Sequence, residues 1–391
     1  MRQLKYKVFA KLFGLFIVLI WTLTSAWGMT LEDRLRRDIE NFELNYYSHV
    51  DAAFILSGVN NNDSLNVYLE WYDDLVETIR NFNFDLIDRV NSANKVFSYL
   101  HGTWLKTYDL ESTTLLDIVH HKKFNCVSAT ILYNLICSDL GWPTEAFETP
   151  THVYTIFSNF DEPVMVENTT PMGFNIVRNL RNYSNILAKY YPEKEVYKIG
   201  LDRLYLYEQK NGRVIDNTEL LGLLAYNRAY FARKKNQFER AYHYVLLAQN
   251  FNRDSRSNTQ FEINLYYLWG NELYNKKEFR KAFNLFADAS YRYPEINDFF
   301  KNMKASFFHG METETQKRNF EEMRSLLQEA LDMEVLTIPD KQQLTPVFKN
   351  WAAYFIQKNQ PANAEKLFAQ WETVLPDDPN LKLFRTMLDE L

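Results

Sequence analysis

Cysteine is nearly absent: the 391-residue chain has two, Cys126 and Cys137. Two cysteines make no disulfide framework. If Cys126 opens a helix, Cys137 lies three turns along it, about 16 Å away. A bridge needs Cα atoms within roughly 7 Å, so the two should stay apart. Glycine and proline are scarce, with eleven of each. Sheet-rich proteins use many more turn residues, so the scarcity leans helical. No basic excess exists either. The formal charge is −6, and the first 28 residues hold Arg2, Lys5, Lys7 and Lys11 without an acid, which leaves the remainder near −10. That argues against a general nucleic-acid binder, which presents a basic face, and leaves room only for a local basic patch. There is no P-loop, no GxGxxG and no Cys or His cluster, so neither a cofactor nor a metal is expected. His49, His101 and the pair His120-His121 are isolated, and adjacent histidines point to different faces. After residue 28 no segment is apolar enough for long enough to span a membrane.

What is present begins with a hydrophobic share of 46% and a charged share of 24%, enough to bury a core in two or three domains. Aromatic residues reach 16%, a supply of knobs for helix-helix contacts. The chain starts MRQLKYKVFAK, continues with the apolar run LFGLFIVLIWTL and follows it with TSAWG. This is the n-region, h-region and small-residue site of a secretory signal, cut before Met29. An uncleaved anchor over residues 12–27 is the alternative. Both readings place the rest outside the cytoplasm, periplasmic or extracellular, and touch a membrane only through this segment.

Residues 30–120 read as a helical lead-in. LEDRLRRDIENF has helical spacing, VDAAFILSGV is an apolar helix, and NNNDS is a break with N-cap chemistry. Leu65, Tyr68, Leu69, Tyr72, Leu75 and Ile79 then form one stripe, and ANKVFSYLHGTWLK follows as a fourth helix.

Residues 121–215 hold the candidate chemistry. Val127, Ile131, Leu135 and Ser138 share a helix face, and Gly141 with Pro143 stops that helix. Cys126 therefore stands at its N-terminus, where the helix dipole favours a thiolate and free N–H groups could hold an oxyanion. THVYTIFS reads as a strand starting at His152, NFDEP as a turn and VMVENT as a second strand. If 158 and 163 close the turn, 152 faces 169, and Glu167 becomes the diagonal neighbour of His152 on the same face. A slip of one residue would bring Asn168 there instead. Cys126, His152 and Glu167 supply a nucleophile, a base and an orienting acid. The bland alternative is a buried hydrophobic cysteine and a structural histidine.

FNCVSATILYNLICSDLGWP, THVYTIF and VMVENTTPMGF together resemble the transglutaminase-like superfamily, in its bacterial branch with a helical N-terminal extension. DAAFILSGV, LNVYLEWYDDLVETI and ANKVFSYL resemble that extension. The likeness covers about residues 45–178. It implies an α+β transglutaminase/papain-like domain with Cys126 as nucleophile, His152 as base and Glu167 in the acid position, where many members carry Asp. The family also contains members without activity.

In residues 178–218, VYKIG and LYLYEQKNGRVI could pair as strands turning at Asn211-Gly212. From 219 to 391 a period of 41 appears. Phe238, Phe279, Phe320 and Pro361 begin equivalent helices. Ala241, Ala282, Met323 and Ala364 follow three residues on, and Ala248, Ala289, Ala330 and Trp371 ten on. Ala229, Gly270, Met311 and Ala352 fill a slot on the preceding helix, where small residues let helices approach. Trp269-Gly270, Leu273, Phe279, Ala282, Phe286, Ala289 and Pro294 resemble a tetratricopeptide repeat. The unit exceeds 34 residues, so longer loops are expected at 253–260 and 334–342. An all-α repeat array implies a surface that binds a protein or peptide.

Two functions are carried forward. One is an exported thiol peptidase, amidase or acyl transferase using Cys126, His152 and Glu167, with repeats that dock protein. The other is a catalytically inactive scaffold of the same parts.

Overall fold

A computed structural model describes residues 29–40, 43–85, 87–160, 162–176 and 180–390. The leader or anchor read in residues 1–28 lies outside the described residues. Among the described residues no helix is long and apolar enough to cross a membrane. The contacts divide the chain into two compact units, one ending at Leu265 and the other beginning at Tyr266.

In the first unit, helices form where caps and apolar spacing agree. Leu31–Asp38, His49–Leu56, Asn62–Arg80 and Arg89–Thr103 start at Thr30, Ser48, Asn61 and Asp88, whose side chains each accept a backbone N–H of the first turn. Such caps stabilise a helix by about 1 kcal/mol each. The helix Cys126–Asp139 differs from a surface helix: every residue from Cys126 to Cys137 is buried. A helix covered on all sides is a core helix. It packs on a sheet strand and against His49–Leu56, Arg89–Thr103 and Asn217–Lys234.

The sheet has four strands: β1 (Glu145–Glu148), β2 (Val153–Phe157), β3 (Val164–Val166) and β4 (Arg213–Ile215). Their order is β3-β2-β1-β4, and every pairing is antiparallel. Thr155 faces Val166 and Phe157 faces Val164, the register in which 158 and 163 close the turn. Two further ladders of two residues per strand and an isolated antiparallel bridge between Val166 and Phe174 complete the extended structure among the described residues.

The expectation of an α+β transglutaminase/papain-like domain is corrected here. The chain is predominantly helical, and its largest sheet consists of strands of three to five residues. Part of the reason lies in residues 193–211. The stretches VYKI and LYLY, expected as strands, lie in the helices Glu193–Ile199 and Leu204–Asn211. Short aromatic and β-branched runs do not distinguish strand from helix. Here Pro192 precedes a first turn carrying Glu193 and Glu195, a favourable helix start. Asn211-Gly212 does not close a hairpin. Gly212 instead lets β4 reach β1, since a Cβ there would lie 2.2 Å from the Phe147 ring.

Helical pairs follow. Asn217–Lys234 packs on Phe238–Phe251 within the first unit. In the second unit Phe279–Arg292 packs on Asn297–Gln316, which packs on Phe320–Asp332, and Thr345–Gln357 packs on Pro361–Val374 and on Pro379–Asp389. Phe238, Phe279, Phe320 and Pro361 are each the first residue of a helix. Asn236, Lys277, Arg318 and Asn359, two positions earlier, all have positive φ of 51 to 61°. These left-handed residues end the preceding helix and turn the chain. Ala241, Ala282, Met323 and Ala364 are fully buried, as are Ala248, Ala289, Ala330 and Trp371. The extra length over a 34-residue unit does not enter loops as expected. It lengthens helices: Arg256–Asn275 and Asn297–Gln316 have 20 residues each, and Ile338–Gln342 is itself helical.

Candidate active site

Asn125 caps the Cys126 helix. Its side-chain oxygen accepts the N–H groups of Val127 and Ser128 at 3.0 and 3.1 Å, and its carbonyl accepts that of Ala129. Ser128 closes the capping box on the Asn125 N–H. The free N–H groups expected for an oxyanion are therefore mostly committed. The Cys126 N–H is the amide of that turn with no acceptor among the described residues.

His152 enters β2 from a tight turn. Its N–H donates to Thr149 Oγ1, and its carbonyl accepts from the Thr149 N–H and hydroxyl. Glu167 follows the last residue of β3. Its N–H donates to the Gly173 carbonyl at 3.0 Å, which closes the 167–173 turn. The register then brings His152 Nε2 to 2.6 Å from Glu167 Oε2, with both side chains at zero exposure. The other Glu167 oxygen accepts the Thr169 N–H and hydroxyl. Asn168, the alternative partner of His152, turns the opposite way. Its amide donates to Thr130 and Thr155, joining the Cys126 helix to β2. Thr155 in turn donates to Asn134 of the same helix.

A carboxylate only accepts, so Nε2 carries the proton toward Glu167 and Nδ1 is the free position. Nδ1 is buried and has no hydrogen-bond partner among the described residues. Cys126 is near enough for its thiol to raise the imidazole pKa. The pair is close but not aligned, as is common before substrate binds. Burial opposes a charge on His152, but Glu167 and Cys126 outweigh it and hold the imidazole well above its usual range. Burial likewise pushes Glu167 up, yet His152 and the Thr169 hydrogen bonds bring it below its usual value.

The sequence did not point to Tyr190. Its ring stacks on His152 with centroids 4.4 Å apart and planes at 24°. The Tyr108 ring meets it edge-on. Nothing local to Tyr190 marks it, because the turn Ala188–Tyr190 reaches His152 only through the tertiary fold. Beside the same turn lies a cavity of about 840 Å³ lined by Asn91, Asn94, Thr170, Asn175, Asn185 and Lys189, among others. Cys126 is 8% exposed and His152 4%. Cys137 is fully buried within the same helix, and burial pushes its thiol far up. Among the described residues no group of three His, Cys, Asp or Glu stands close enough to hold a metal.

No protein-family model matches the sequence, and no curated protein matches it. Among solved structures, one similar chain comes from the crystal structure of menin that reveals the binding site for the Mixed Lineage Leukemia (MLL) protein. It is 13% identical, the match covers 90% of this chain and 96% of that one, and the TM-score is 0.31. A likeness at that score does not define a fold.

Proposed function

We propose that Cys126, His152 and Glu167 form a thiol centre that cleaves or transfers the acyl group of a peptide amide. The observation that carries the reading is the buried His152–Glu167 contact, which leaves Nδ1 without a hydrogen-bond partner, with Cys126 close enough to act on the ring. The motif order Cys, His, acid, by which the sequence resembles the transglutaminase-like superfamily, supports the same chemistry. His152 Nδ1 takes the Cys126 proton, and the thiolate adds to the amide carbon. The Cys126 N–H faces the developing oxyanion. As the C–N bond breaks, the amine leaves with the proton from Nδ1. Water or a second amine then displaces the thiol from the thioester. Glu167 holds the imidazole orientation and balances its charge throughout. The carboxamides lining the neighbouring cavity match peptide amides as both donors and acceptors. The helical pairs offer a docking surface for the protein that bears the amide, and the N-terminal segment read as a leader or an anchor fits work outside the cytoplasm.

The test is to incubate the protein with an activated ester such as p-nitrophenyl acetate. The reading expects acetylation of Cys126 that hydroxylamine removes and that Cys126→Ser abolishes. A protein that stays unmodified while folded contradicts it.

One observation favours the second reading, an interaction scaffold without catalysis. The Tyr190 ring covers His152, and the three side chains are nearly inaccessible. In that case the ester leaves Cys126 untouched, and the helical pairs carry the function alone.

A further inference from the structure

Glu208 is a buried acid that the proposed chemistry does not use. It stands on the helix Leu204–Asn211 at zero exposure. Among the described residues no cation pairs with it. Oε1 accepts the Tyr191 hydroxyl and lies 3.5 Å from the Thr151 hydroxyl, while Oε2 is buried without a partner. Both hydroxyls therefore converge on one carboxylate oxygen. Tyr191 belongs to a buried hydrophobic cluster with Tyr154, Tyr183, Leu187 and Leu204.

A carboxyl with an unpartnered oxygen in such a setting is expensive, and a leucine would fill the same space at less cost. What the carboxyl delivers is a tie between two chain segments. Thr151 leads directly into His152. Tyr191 directly follows Tyr190, whose ring lies on the His152 ring. The His152 main chain is pinned by Thr149 and its Nε2 by Glu167.

We propose that Glu208 is a positioning residue for His152, fixing through Thr151 and Tyr191 the distance between the base and the Tyr190 ring that covers it. It touches no reacting atom. The proposal rests on the reading of Cys126 and His152 as a reactive pair.

The experiment uses the full chain and two readouts. One is the rate of Cys126 alkylation by iodoacetamide against pH. The other is the titration of the His152 ring by NMR, assigned with His152→Ala. Glu208→Leu removes both ties and should lower the rate at pH 6 about tenfold. At pH 10 it should stay within about threefold of wild type, since there the thiolate forms without help. Glu208→Gln keeps an amide oxygen that accepts the same two hydroxyls, and it should restore the wild-type profile. A folded Glu208→Leu protein with an unchanged profile and an unchanged ring titration overturns the proposal, and so does a Glu208→Gln protein as impaired as Glu208→Leu. If Glu208→Leu does not fold, Thr151→Val and Tyr191→Phe each remove one tie. A shift in either supports the proposal, and wild-type behaviour in both overturns it. If the wild type shows no His152-dependent labelling, the reading of the reactive pair fails. The ring titration of the variants still decides the role of Glu208.

Discussion

Gly173 stands so close to Glu167 that a Cβ added to it would lie 1.8 Å from the Glu167 carbonyl oxygen and 2.9 Å from its Cβ. The turn 167–173 can close only because that position has no side chain. Closing it puts the Glu167 carboxylate against His152. Gly173→Ala should therefore push Glu167 away from the imidazole. We expect a folded protein destabilised by about 1–3 kcal/mol, as overpacking typically gives. Denaturant unfolding measures that loss. The His152 ring titration should move down at the same time.

Glu167→Gln tests the pair itself. His152 has a raised pKa in the folded protein, so its contribution to stability is fully present below about pH 6.5 and is lost as pH rises through the raised value. Glu167 has a lowered pKa, so its contribution is present above about pH 4.3 and is lost as pH falls through the lowered value. Wild type should exceed Glu167→Gln most between these limits, by about 3–5 kcal/mol as for a broken buried pair. The difference should shrink on both sides. His101 is buried against Phe97 and Phe124, and burial lowers its pKa to about 4. The Glu167 charge opposes that lowering in part, so Glu167→Gln should drop His101 further and add a small difference near the acid limit. Thermal or urea unfolding of the two proteins from pH 3 to 9 checks the shape.

The site was more legible than the fold that holds it. Turn length fixed the β2–β3 register, and one register suffices to place Glu167 diagonal to His152 and to send Asn168 to the other face. The helix that Cys126 opens follows from its apolar face and its Gly141-Pro143 stop, whereas the Asn125 cap emerges only in the structure. Tyr190 and Glu208 were not legible, because their meaning comes from packing of helices distant in sequence. The strand β1 escaped notice because Glu-Ala-Phe-Glu has little β-branched or aromatic content. Residues 193–211 were misread because four-residue aromatic runs fit either period. With those residues helical and the strands short, the expected α+β domain did not form.

The 41-residue period predicts two substitutions of opposite sign. Lys277 is exposed and left-handed at φ 61°. Lys277→Gly should stabilise the protein by about 0.5–1 kcal/mol by relieving that conformation. Gly270 faces the buried Phe286 ring, which a Cβ would approach to 2.3 Å. Gly270→Ala should destabilise by about 1–3 kcal/mol. Denaturant melts of both variants check the pair, and equal signs would contradict the shared helix-pair geometry.

Asn125→Ala should remove the acceptor for the Val127 and Ser128 N–H groups. The cost should be about 0.5–2 kcal/mol, in the usual range for a lost cap. It should also loosen the Cys126 end of the helix, seen as faster amide exchange there than at Cys137.

The central claim is that Cys126 and His152 act as one reactive unit. The most direct measurement is alkylation of the two cysteines by iodoacetamide from pH 5 to 10, read by mass spectrometry, in wild type and His152→Ala. The account predicts that Cys126 labels rapidly below pH 7, that Cys137 does not label in the folded protein, and that His152→Ala removes the low-pH reaction of Cys126. Equal slow labelling of Cys126 in both proteins would contradict it and would make the thiol part of the core.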